Sequence, residues 1–260
     1  MPCQPGNTLR EDLQDVADNT PPTESAAAPA FAGDKKKGHS LLGPLERRFI
    51  NWGIPKIPKP ILSHHLTYVT ILWSAGTILF GWLADGGDSS SKTGGGDLVW
   101  LHGMSVMVFG QWLTDSFDGS LGKFRKQGLV KWGFFMDHLL DLLFAGSMVI
   151  GYSFLVEAPW LRLLFLILVL VTCATMATSF LAFAATNQFQ IAYYGIGPTE
   201  IRIGYIALNT FVYFAGTEIF SWGVPLIVAL NVVAFIILTA QTSRNLWQID
   251  YEANVDNAPR

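Results

Sequence analysis

Six stretches of about 20 mostly apolar residues run near 65–84, 98–114, 133–155, 159–184, 203–220 and 223–241, each long enough to cross a bilayer as a helix. In hydrocarbon the backbone must satisfy its own N–H and C=O groups, and outside a closed barrel only a helix does so. Composition agrees: 50% of the residues are apolar and 14% charged, against about 25% charged in a soluble domain. The expected fold is an all-α integral membrane protein of six transmembrane helices, preceded by an N-terminal interfacial amphipathic helix.

Basic residues orient the spans. With the N-terminus in the cytoplasm, every one of the 17 Lys and Arg except Lys92 and Arg162 falls on a cytoplasmic segment, which is the positive-inside pattern. The facing ends of the second and third spans then lie at the cytoplasmic side. The net charge of −3 hides this polarity, because acidic residues crowd the N-terminal tail, and it implies no nucleic-acid partner. Cys3 and Cys173 lie in the tail and the fourth span, a pair that cannot staple a fold. The first 30 residues are polar and carry no apolar signal core.

Along the chain, residues 1–38 are rich in Pro, Ala, Asp, Glu and Thr and read as a disordered cytoplasmic tail. Residues 39–60 form the next unit. There Leu41, Leu42, Leu45, Phe49 and Trp52 fall within roughly 100° of a helical wheel, which fits a helix lying along the membrane or, failing that, a cytoplasmic loop. Pro44 is tolerable only in its first turn, and the prolines of Ile54–Pro60 stop it. Residues 61–245 form the six-helix catalytic domain and 246–260 a cytoplasmic C-terminal tail. The Gly- and Ser-rich loop 85–97 reads as a connector. The stretch 187–202, NQFQIAYYGIGPTEIR, is a candidate substrate lid, with Glu200 beside Arg202.

Between Asp115 and Asp141 the chain reads D-x-x-D-G-x-x-G-K, then nine residues, then G-x-x-x-D-x-x-x-D. A charged side chain at mid-bilayer costs roughly 2.5–3.5 kcal/mol, so four aspartates there imply cations, water and a polar cavity. On a helix Asp115, Asp118 and Gly122 share one face, and Gly133, Asp137 and Asp141 share one face of the next. Four carboxylates can therefore converge. Gly119, Gly122 and Gly133 remove side chains where a bulky ligand and its metal must approach. Oxygen-only ligands suit Mg²⁺ or Mn²⁺, and no Cys or clustered His suggests zinc. A hard cation held by carboxylates is the usual way to bind a diphosphate. Lys123, Arg125 and Lys126 can add cationic contacts to phosphate oxygens, although Arg125 and Lys126 fit a topology-setting basic loop equally well.

The run resembles the signature of the CDP-alcohol phosphotransferases, D-x-x-D-G-x-x-A-R, eight or nine residues, then G-x-x-x-D-x-x-x-D. All four aspartates and both motif glycines are present, as Asp115, Asp118, Gly119, Gly133, Asp137 and Asp141. The family's six-helix architecture with a cytoplasm-facing site agrees with the span count. Where the family has Ala-Arg this chain has Gly122 and Lys123, which replaces a planar fork by a point charge. The resemblance implies Asp115, Asp118, Asp137 and Asp141 as metal ligands and Gly119, Gly122, Lys123, Arg125 and Gly133 around the nucleotide. It also implies that Asp141 deprotonates the acceptor hydroxyl, which attacks the β-phosphoryl and expels CMP.

A shorter resemblance, Asp137-His138 followed by Asp141 and Gly197-Pro198-Thr199-Glu200 downstream, is to choline and ethanolamine phosphotransferases. It implies that His138 and Glu200 assist proton transfer, while a packing histidine fits His138 equally well. The expected activity is transfer from a CDP-linked donor, tilted toward a CDP-aminoalcohol and diacylglycerol. The alternative is CDP-diacylglycerol with a small polar alcohol. A Mg²⁺-diphosphate prenyltransferase is disfavoured by the D-x-x-D spacing, and an ion-conducting transporter or scaffold would not need the paired motifs. The expected partners are the donor, a lipid or alcohol acceptor and membrane lipids, with a homodimer left open.

Overall fold

The computed structural model describes residues 42–85, 97–186 and 197–256. The expected disordered tail with Cys3, most of the connector 85–97, and positions 187–196 of the candidate lid lie outside these. Seven α-helices and no strand occur among the described residues: α1 (Gly43–Gly53), α2 (Ser63–Ala84), α3 (Trp100–Phe124), α4 (Val130–Ser153), α5 (Pro159–Thr186), α6 (Pro198–Ala215) and α7 (Phe220–Asp256).

The apolar windows locate the helices but understate them. The second window ends at 114 and the third begins at 133, yet α3 runs on to Phe124 and α4 starts at Val130, so the aspartates sit within continuous helices rather than beyond their ends. At the other end of the chain α7 continues to Asp256, through eleven residues of the expected tail 246–260. By length and composition four helices can cross a membrane: Ser63–Ala84, Val130–Ser153, Pro159–Thr186 and Thr217–Glu252. Of α2 to α7, α3 and α6 fall outside that set, and they carry Gln111, Asp115 and Asp118, and Glu200 and Arg202, respectively. The chemistry of these two helices is what lowers their apolarity.

α2 packs against both α3 and α4, α3 against α6, and α5 against α4 and α7. The α2–α4 contact is made by small residues at helical spacing, Thr77 and Gly81 against Ser147 and Gly151. Thr77 Oγ1 lies 2.8 Å from Ser147 Oγ, and a Cβ on Gly81 would meet Gly151 Cα at 2.5 Å. Such close backbone approach is how helices associate without a hydrophobic driving force. The core gathers Leu101, Met104 and Val108 of α3, Phe144, Met148 and Tyr152 of α4 and Val212 of α6. A buried polar relay crosses it: Tyr152 donates to Asn209 at 2.6 Å, and Asn209 donates to Ser105 at 2.9 Å.

α1 forms close to its expected place, with Pro44 in the first turn. It packs through Ile50 and Ile54 onto Phe117 and Leu121 of α3. Leu45 and Trp52 point outward, and Phe49 rests against Trp112 and Phe117. The linker after α1 is clamped from α3, since Arg125 donates to the carbonyls of Ile57 and Pro58 at 2.9 Å, of Lys59 at 3.0 Å, and of Ile61.

Candidate active site and metal centre

α3 and α4 face each other with the i, i+3 and i, i+4 spacing of their acidic residues turned inward. Carboxylate oxygens of Asp115, Asp137 and Asp141 lie within 4.8 Å of one another, all three residues half-buried. Three oxygen donors this close, with no nitrogen or sulfur among them, fit a hard divalent cation of the Mg²⁺ or Mn²⁺ kind. Asp118 is held apart from this trio. Its Oδ2 accepts the Thr67 hydroxyl of α2 at 3.0 Å and its Oδ1 accepts the Gly119 amide.

The trio is charge-compensated from α6. Arg202 places Nη2 2.7 Å from Asp115 Oδ2 and 3.5 Å from Asp141 Oδ1. Gln111, buried one turn before Asp115, donates its amide to Asp141 Oδ1 at 3.2 Å. α6 is itself seated by α1: Glu46 accepts the hydroxyls of Ser116 and Thr199, both at 2.9 Å, tying three helices beside the carboxylates.

The glycines divide. A Cβ built on Gly119 or Gly133 meets nothing within 4 Å, so both leave open space, whereas one on Gly122 meets Ser63 Oγ of α2 at 3.3 Å. Lys123 is exposed on the last turn of α3. Arg125, expected near the nucleotide, has its guanidinium on the four linker carbonyls. Glu200 accepts the amides of Gly197 at 2.9 Å and Leu42 at 3.1 Å, so its two oxygens cap the start of α6 and tie it to α1. His138 packs between Phe134 and Phe180 with Nδ1 2.7 Å from the Phe134 carbonyl. A carbonyl only accepts, so Nδ1 is the donor in this contact.

Arg202, Gln111, Thr67 and Glu46 were not singled out as site residues by sequence. Arg202 stands just before the apolar run 203–220, beside Glu200 in the candidate lid, and Gln111 stands one helical turn before Asp115. Thr67 and Glu46 act across helix interfaces, where spacing along the chain says nothing.

Beside the carboxylates an apolar groove of about 330 Å³ opens between α1, α3 and α6, lined by Leu45, Phe49, Phe109, Trp112 and Ile206, with Glu46, Thr199 and Arg202 supplying its polar lining.

The family model for CDP-alcohol phosphatidyltransferases matches residues 63–242, which takes in α2 to α6 and most of α7. No curated protein and no solved structure matches the chain. The chain belongs to the CDP-alcohol phosphatidyltransferase family. It is therefore a membrane transferase of substituted phosphate groups in phospholipid synthesis, of a family that uses a divalent metal.

Proposed function

We propose that this member of the CDP-alcohol phosphatidyltransferase family transfers a phospho-aminoalcohol from its CDP-linked donor to diacylglycerol, releasing CMP. The observation that carries the reading is the junction at Arg202, which touches Asp115 and Asp141 and also lines the apolar groove. A charged reaction centre thus adjoins a surface suited to a lipid. The Gly197-Pro198-Thr199-Glu200 segment and Asp137-His138 tilt the donor toward a CDP-aminoalcohol.

Asp115, Asp137 and Asp141 would hold the metal, with Asp118 as a fourth ligand. The cation, when bound, supplies Lewis-acid polarisation and neutralises the diphosphate. Asp141 takes the proton of the acceptor hydroxyl. The hydroxyl oxygen forms a bond to the β-phosphorus as the bond from that phosphorus to the oxygen bridging the two phosphates breaks, and CMP departs. His138 and Glu200 support the proton transfer, and the open space at Gly119 and Gly133 admits the nucleotide, with Gly122 and Lys123 flanking it.

In the same reading α2 to α7 are six spans, with α3 and α6 crossing because their charged residues face inward. Lys and Arg then place the carboxylates at the cytoplasmic face, and α1 lies in the interface with Leu45 and Trp52 toward lipid. The test is CMP release by purified protein given CDP-choline or CDP-ethanolamine with diacylglycerol, against CDP-diacylglycerol with small polar alcohols. Turnover only in the second arm would overturn the donor assignment.

A further inference from the structure

A buried cation beside the acidic trio is placed where it competes with a metal. Arg202 is buried, with its side chain 10% exposed, and its Nη2 reaches Asp115 Oδ2 at 2.7 Å and Asp141 Oδ1 at 3.5 Å. These are two of the three carboxylates whose oxygens converge within 4.8 Å. An oxygen that accepts a charge-assisted hydrogen bond from a guanidinium offers less of its lone-pair density to a divalent ion. Arginine carries its charge on a planar guanidinium fork. It has room to step aside by moving, because it also lines the groove between α1, α3 and α6.

We propose that Arg202 is the internal counter-ion of the carboxylate cluster: it neutralises Asp115 and Asp141 in the metal-free protein and releases them when a divalent cation binds. Its charge thereby sets the cation affinity of the site. The proposal rests on the metal-binding reading of the trio given above. In the metal-free protein the pair spares two partly buried carboxylates from facing each other uncompensated. The cation must displace this pair, so a site without the arginine binds metal more tightly and is less stable without it. Gln111, the other donor to Asp141, is neutral and leaves the charge balance unaltered.

The experiment is a Mn²⁺ titration of the purified full chain in detergent, with no CDP donor present, following free Mn²⁺ by electron paramagnetic resonance. Arg202→Gln is expected to bind at least about tenfold more tightly than wild type, the effect of removing one positive charge at ion-pair distance. Its melting temperature should fall below wild type in EDTA and recover in saturating Mn²⁺. Arg202→Lys, a point charge that cannot span both carboxylates, is the gentler variant should Arg202→Gln not hold together, and is expected to tighten binding by a smaller factor. Equal or weaker Mn²⁺ binding in whichever variant folds would overturn the proposal. Asp115→Asn separates the two layers: if it leaves Mn²⁺ binding intact, the metal reading itself fails, whereas a loss in Asp115→Asn with no gain at Arg202 sinks this inference alone.

Discussion

Thr67 donates its hydroxyl to Asp118 Oδ2 at 3.0 Å across the α2–α3 interface, and both side chains are buried. The bond explains why Asp118 stands apart from the Asp115, Asp137 and Asp141 trio although it lies on the same helix face as Asp115. A buried carboxylate needs donors, and α2 supplies one that the helical spacing of the motif does not reveal. Thr67→Val keeps the shape and removes the donor. We expect a loss of about 1 kcal/mol in stability, read by thermal unfolding in detergent, together with a drop in kcat of roughly tenfold as Asp118 loses its orientation. An unchanged kcat would make Asp118 a structural residue only.

The metal reading predicts that Asp115→Asn and Asp137→Asn each abolish CMP release while the protein still elutes as a folded species. EDTA should reproduce the loss in wild type, with Mg²⁺ or Mn²⁺ restoring it. Activity surviving in an EDTA-treated sample would remove the metal from the reaction.

Much of this arrangement could be read from residues alone, for definite reasons. The aspartates sit at i, i+3 and i, i+4 on two consecutive helices, so the convergence of Asp115, Asp137 and Asp141 follows from helix geometry, whereas the separation of Asp118 does not. The start of α1 and its arrest follow from Pro44 and the prolines after Ile54. The extents of α3 and α4 did not follow, because hydropathy falls at the charged residues whereas backbone hydrogen bonding does not. Nor did the engagement of Arg125 with the linker or of Glu200 with the start of α6. Carbonyls and amides are present at every position, so no pattern marks which of them a long side chain will meet. Arg202 stood beside Glu200 in the candidate lid, but its partner Asp115 is 87 positions away along the chain.

The approach of Gly81 to Gly151 predicts a sharp packing limit. A Cβ on Gly81 would lie 2.5 Å from the Gly151 carbonyl oxygen and from its Cα, both backbone atoms that cannot swing aside. Gly81→Ala must therefore separate α2 from α4, at a cost of roughly 1–3 kcal/mol. A lowered melting temperature in detergent is expected, with Gly146→Ala, whose Cβ meets nothing within 4 Å, as the control that leaves it nearly unchanged.

The end of α3 predicts a gain. Lys126 N–H donates to the Lys123 carbonyl and Gln127 N–H to the Gly122 carbonyl, a helix-terminating motif with Lys126 in the left-handed region at φ 52. A side chain there costs about 1–2 kcal/mol that glycine avoids. Lys126→Gly should raise the melting temperature by the part of this that exceeds glycine's larger chain entropy. A fall would mean that the lysine side chain contributes more than its backbone costs.

The last prediction concerns the proton. Asp141 Oδ1 receives the Gln111 amide at 3.2 Å and the Arg202 guanidinium at 3.5 Å. Both donors orient the carboxylate, a group able to accept a proton from an acceptor hydroxyl. Asp141→Asn keeps the side chain's size and removes that capacity. With Asp115 and Asp137 still in place, CDP binding should survive while kcat falls by about 10²-fold or more, with KM changing far less. Gln111→Leu should act in the same direction and more weakly, because it loosens the orientation of Asp141 and leaves its charge. Should Asp141→Asn instead raise KM with kcat intact, Asp141 would be a binding ligand, and the base would have to be sought at His138.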